Sequence, residues 1–102
     1  MRVDAHAYVE AVLSAVEQIP PGRVLSYGDV AQLVGAGGPR QVGRIMATHG
    51  GAVPWWRVVR VDGTTAVRER TGQLTRLVKE GCPLHPGGER VDMARARWNG
   101  VA

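Results

Sequence analysis

Residues Pro39–Val59 read PRQVGRIMATHGGAVPWWRVV, a short basic helix followed by a Pro-Trp-Trp-Arg-Val turn. On a helical wheel Val42, Ile45, Met46 and His49 share one side, and Arg40, Gln41, Arg44, Ala47 and Thr48 share the other. The first side is expected to be buried and the second to meet a partner. No Asp or Glu occurs from Val30 to Val61, yet this stretch holds Arg40, Arg44, Arg57 and Arg60. With no acid nearby in sequence, such guanidiniums suit phosphate.

Working back toward the N-terminus, Ser26 and Asp29 make an S-x-x-D helix start ahead of Val30, Leu33 and Val34. That helix is expected to stop at Gly35, and Gly35–Gly38 to form a tight turn before Pro39, which suits the first position of the next helix. Helix, Gly-containing turn, helix is the order of a helix-turn-helix, here about 26–49. Earlier still, Asp4 can cap a helix running to about Gln18, with Tyr8, Val9, Val12, Leu13, Val16 and Ile19 on its apolar side. Pro20-Pro21-Gly22 ends it, and Arg23-Val24-Leu25 allows a brief extended segment.

Beyond the double Trp, Arg57–Val61 alternates as a strand, Asp62-Gly63 is a turn signal, and Thr64–Val67 is expected to return. This is a wing-like hairpin over about 57–67. A fourth helix is expected over about Gly72–Glu80, with Leu74, Leu77 and Val78 inward. In the Pro- and Gly-rich tail, Val91, Met93 and Trp98 are expected to pack back on the core. The fold class is therefore mainly α with a small β-hairpin, a winged-helix-like helix-turn-helix domain occupying 1–102 as one unit.

Composition bounds the reading. A chain of 102 residues supports one core, and with no Phe that core must be aliphatic. A net charge of +4 makes a polyanionic partner plausible. Cys82 is the single cysteine, so no internal disulfide can form. With no leader or long apolar run, an intracellular protein without membrane association is expected. Cys82 and His85 are too few ligands for a typical metal site, and no metal or other cofactor is expected.

Several stretches together resemble the DNA-binding domain of the O6-alkylguanine-DNA alkyltransferases. They are Val24-Leu25-Ser26-Tyr27, Pro39-Arg40-Gln41-Val42-Gly43-Arg44-Ile45-Met46 and Pro54-Trp55-Trp56-Arg57-Val58-Val59, in that order. The active enzymes carry Pro-Cys-His-Arg-Val at the turn, and their Cys accepts the alkyl group. Trp55 stands at that Cys position, which is the mark of the alkyltransferase-like proteins, similar in fold and lesion binding but unable to take the alkyl group. The chemistry agrees: dealkylation needs an activated thiolate, and an indole offers none. Trp56 occupies the place of the family's His, so the usual base is missing too.

The resemblance implies a damage sensor for O6-alkylguanine in double-stranded DNA that flips the nucleotide and marks it for nucleotide excision repair proteins. A base inside the duplex cannot be inspected without being rotated out. Arg40 sits at the family's finger position, and Tyr27 matches the Tyr that presses on the phosphate beside the lesion. The third helix would enter the minor groove, with Gly43 and Ala47 allowing close approach and Gln41, Arg44 and Thr48 touching sugar and phosphate. Arg44 replaces a small residue common in the enzymes. Trp55 would line the lesion pocket with Val53 and Pro54, and Arg68 matches an Arg placed over the flipped guanine. Arg57 is expected to brace the turn. The alternatives are a winged-helix transcription regulator and a working alkyltransferase. The regulator needs a dimer surface, but no long apolar helix remains unspent and a monomer is expected. The enzyme needs a Cys in the Pro54–Val58 turn.

Overall fold

In the computed structural model, which describes residues 4–65 and 70–101, helix α1 spans Ala5–Glu17. Its start is set by the Asp4 side chain, which accepts from the Ala7 N–H at 3.3 Å. Val12, Ala15 and Val16 face inward, and Ile19 follows them into the core. Strand β1, Leu25–Ser26, leads directly into α2, Tyr27–Val34. Ser26 and Asp29 form the expected reciprocal capping box, each side chain accepting the other's backbone N–H at 3.0 Å. Gly35 closes α2 in the left-handed conformation at φ 86°.

The loop that follows is tied to α1. The Tyr8 hydroxyl donates to the Ala36 carbonyl at 3.0 Å. Gly37, at φ 74°, has its Cα against that same hydroxyl, so any Cβ there would collide with it. Helix α3, Pro39–His49, starts on Pro39, and the Gln41 side-chain oxygen accepts from the Gly38 N–H at 3.1 Å. Val42 and Ile45 are buried and Met46 is half-buried. His49 departs from the expectation that it shares the buried side. It is exposed in the last turn, where α3 gives way to a 3-10 turn at Gly50–Ala52.

A second 3-10 turn, Trp55–Arg57, precedes β2, Val58–Val59. The sheet is not the expected hairpin. Strand β2 pairs in parallel with β1, Leu25 against Val58 and Ser26 against Val59. After it the chain closes a tight turn, in which Arg60 N–H donates to Thr64 O at 2.9 Å and Gly63 N–H to Arg60 O at 2.8 Å. Thr64 and Thr65 form no strand, and the rest of the proposed return arm, 66–67, lies outside the described residues. The physical reason is burial: Val58 and Val59 are both sequestered and complete two different cores, whereas Val61 is 83% exposed.

Alternation along the two strands divides the interior. Leu25 and Val58 join α1, α2 and α3 in one cluster with Trp98. Val24 and Val59 join Leu77, Cys82, Val91 and Ala96 in the other, against which Trp56, Leu84 and Met93 pack. Helix α4, Arg70–Lys79, therefore contributes to the second cluster. Its inward face is rotated from the expected one: Gln73 and Leu77 are buried, Leu74 is intermediate and Val78 is 57% exposed. A short α5, Met93–Ala96, brings the tail back as expected. Val24 N–H donates to Ala96 O at 3.0 Å and Trp98 N–H to Val24 O at 2.8 Å. Among the described residues no helix is long and apolar enough to cross a membrane.

Candidate nucleic-acid interface

The outer face of α3 presents Arg40, Gln41, Arg44, Ala47 and Thr48, all exposed. The Thr48 hydroxyl donates back to the Arg44 carbonyl at 3.0 Å and keeps its lone pairs outward. Among the described residues neither Arg40 nor Arg44 has an acid partner. Tyr27, at the first position of α2, is half-buried against the α1–α3 core. Its ring stands beside α3, since a Cβ added at Gly43 would lie 4.0 Å from Tyr27 Cδ1. The parallel strands carry Arg60 to the same place. Burial raises the Tyr27 phenol above its usual range, and the Arg60 charge pulls it partly back. Tyr27, Gly43, Arg44 and Arg60 are thus gathered from three separate parts of the chain.

The Pro-Trp-Trp-Arg turn abuts the other end of α3. A Cβ at Gly50 would come within 3.2 Å of Met46 Cε and 3.5 Å of Trp55 Cβ, so the missing side chain lets the turn close on the helix. Pro54 adopts φ −72° and ψ 68°, and the Trp55 N–H donates to Val53 O at 2.6 Å, an inverse γ-turn. This geometry sends Val53 into the core beneath the turn and leaves Trp55 half-exposed. The two indoles meet edge to face, with centroids 5.8 Å apart at 86°. Arg68 lies outside the described residues.

What holds this turn is an ion-paired anchor at the end of α4, from Glu80, the residue that follows the helix. Arg57 has a sequence neighbourhood free of acid, yet the fold places Glu80 against it. Arg57 Nη2 and Nε donate to the Glu80 carboxylate at 2.6 and 3.1 Å, and Arg57 Nη1 donates to Ile19 O at 2.8 Å. Trp56 Nε1 donates to Glu80 Oε2 at 2.9 Å, and Gly22 N–H to Oε1 at 3.2 Å. Burial by itself would raise the Glu80 carboxyl. The donors from Arg57, Trp56 and Gly22 outweigh it and hold the group below its usual range. The buried Gln73 adds a clamp, donating from Nε2 to Trp56 O at 3.0 Å and Val58 O at 2.7 Å.

Three residues of this anchor, Gln73, Arg76 and Glu80, escape the sequence reading. Arg76 lies over both indoles, its guanidinium carbon 4.9 Å from the Trp56 centroid and 5.6 Å from that of Trp55. One signal was available: Gln73, Leu77 and Glu80 follow helical spacing, and a Gln in register with a core Leu points to a buried polar clamp. Cys82, in contrast, is buried in the second core, and burial, reinforced by the Glu80 charge, pushes its thiol up to about 11. No group of three or more potential metal ligands occurs among the described residues.

Comparison with known proteins matches this geometry. Residues 7–82 fit the family model described as the DNA-binding domain of 6-O-methylguanine DNA methyltransferase. A DNA base-flipping protein of Escherichia coli is 37% identical over 98 residues, 91% of this chain and 75% of that protein. Alkyltransferase-like protein 1 of Schizosaccharomyces pombe is 37% identical over 111 residues, 96% of this chain and 98% of that protein. The crystal structure of S. pombe Atl1 in complex with damaged DNA containing O6-carboxymethylguanine superposes with a TM-score of 0.79 at 32% identity, covering 97% of this chain and 99% of that one. The chain belongs to the 6-O-methylguanine DNA methyltransferase DNA-binding domain family, in its alkyltransferase-like, base-flipping branch.

Proposed function

We propose that this protein binds O6-alkylguanine in double-stranded DNA, rotates the damaged nucleotide out of the helix, and leaves the alkyl group in place. The observation that carries the reading is Trp55, a half-exposed indole at the foot of a helix whose Arg40 and Arg44 have no acid partner among the described residues. By the resemblance of the Pro54–Val58 turn it corresponds to the position of the alkyltransferases' thiol. A sensor needs affinity for the lesion and no nucleophile. Trp56 spends its only N–H on Glu80 and carries no base. The single cysteine sits in the other core with a raised pKa, so little thiolate exists near neutral pH.

Each DNA-facing residue then has a role. Arg40, at the start of α3, enters the stack and holds the gap left by the flipped base. Tyr27 presses on the phosphate beside the lesion. Gln41, Arg44 and Thr48 touch sugar and phosphate in the minor groove, where Gly43 and Ala47 allow close approach. Trp55 and Pro54 line the lesion pocket with Val53 supporting them from within, and Arg68 covers the purine face. Extrusion costs a few kcal/mol, less for a lesion that already pairs poorly, which is itself a source of selectivity. The bound complex marks the site for nucleotide excision repair proteins.

A paired titration tests the reading. A duplex with one O6-methylguanine should bind more tightly than its unmodified twin, and the protein's mass should not change. Equal affinity for both duplexes, or a methyl group found on the protein, overturns it.

A further inference from the structure

The Trp pair is not a neutral wall. Arg76 reaches over both rings from the exposed face of α4, 5.6 Å from the Trp55 centroid and 4.9 Å from that of Trp56. The nearby acid cannot neutralise it. Both Glu80 oxygens are already occupied, Oε1 by Gly22 N–H and Arg57 Nε, Oε2 by Arg57 Nη2 and Trp56 Nε1. Among the described residues Arg76 makes no ion pair, and its guanidinium lies over the two indole rings. Beside it an open groove of about 590 Å³ runs between Trp56 and α4, lined by Gly72, Thr75, Arg76, Lys79 and Glu80. With Glu80 paired to Arg57, the other charged residues among the described lining of the groove are the cations Arg76 and Lys79.

From this we infer that Arg76 is a specificity-determining residue, making the protein prefer O6 substituents that end in a carboxylate over neutral substituents of the same shape. The inference rests on the lesion-binding reading above. A substituent packed on the Trp55 ring lies roughly 4 Å from it. Its far end then comes within reach of a guanidinium that stands over that ring. A methyl group is too short and carries nothing to bond. A carboxymethyl group offers two acceptor oxygens to a planar fork of donors, the pairing for which a guanidinium is best shaped.

The test compares duplexes carrying O6-carboxymethylguanine and O6-carbamoylmethylguanine, equal in size and differing in charge. The native protein should bind the carboxylate about three- to fivefold more tightly, as a partly exposed ion pair allows, and the excess should shrink with added salt. Arg76→Gln should bring the ratio close to one, and Arg76→Lys should keep part of it. Arg90→Gln, which removes one exposed charge next to the Asp62 turn, should leave the ratio unchanged. Equal binding of the two duplexes by the native protein overturns the inference, as does a ratio that survives Arg76→Gln or falls equally in Arg90→Gln. Absence of any preference for O6-methylguanine over guanine would instead remove the parent reading, so the two failures are distinct.

Discussion

Trp55 and Trp56 carry different parts of the proposed behaviour. Trp55 is half-exposed at the proposed lesion pocket, whereas Trp56 is tied down by Glu80 and Gln73. Trp55→Ala should therefore reduce lesion affinity by about 1–3 kcal/mol, the worth of one stacked base, while binding to undamaged duplex changes little; titration of both duplexes by fluorescence anisotropy reads this out. Restoring the thiol alone should not restore transfer. In Trp55→Cys the neighbouring indole still offers no base, so the double variant Trp55→Cys with Trp56→His should take up methyl about 10²-fold faster or more, as followed by protein mass. Arg40 and Arg60 separate in the same way. Arg40→Ala should weaken lesion binding strongly, and Arg60→Ala should mainly flatten the salt dependence, by about one unit of slope. Identical behaviour of the two variants would refute the finger role of Arg40.

Among the elements, α3 supplies the proposed binding face, but the turn beside it is positioned by α4 and the residue that follows it, Glu80. Replacing one partner of a largely buried pair leaves the other charge uncompensated, so Glu80→Gln should cost roughly 1–3 kcal/mol in chemical denaturation. Its pH dependence follows from the direction of the shift. Glu80 is held below its unfolded value, so the unfolded chain binds its proton more readily and the stabilisation is present above that value. It is lost as pH falls through the lower folded value. Asp29 behaves alike: burial opposes its ionisation, but Arg97 and the Ser26 donors outweigh it. Its share is smaller because Arg97 is 56% exposed. Stability should be level above about pH 5 and decline below about pH 4, and Glu80→Gln should flatten that limb. The loop before α3 is equally specific. Gly37→Ala adds both a forbidden φ and a clash with Tyr8, so it should destabilise by more than about 1 kcal/mol.

For the whole molecule, the two cores on either side of the β1–β2 pair give the proposed DNA face and the anchoring side separate supports. Cys82 belongs to the anchoring side, away from the α3 face. In the native protein it should react with iodoacetamide near pH 7 far more slowly than in the denaturant-unfolded chain, as intact mass shows, because burial both blocks access and suppresses the thiolate.

The sequence by itself determined what depends on residues close together in the chain: the Asp4 cap, the Ser26–Asp29 box, the Gly35 stop, the Pro39 start and the polar face of α3. These are contacts within one turn, and residue type settles them. The Pro54–Val59 turn was legible in the same local way, through its resemblance to a known motif. Only the tertiary structure decided the rest. It paired Val58–Val59 with Leu25–Ser26 in place of a hairpin, turned Gln73 inward and Val78 outward on α4, left His49 in solvent, and brought Glu80 to an arginine with no acid near it in sequence. The strand pairing, the inward Gln73 and the Glu80–Arg57 pair each join residues far apart in the chain, and the exposure of His49 and Val78 is what those contacts leave over. They are chosen by which arrangement buries two valines and satisfies a carboxylate at once, a competition that no single segment can express alone.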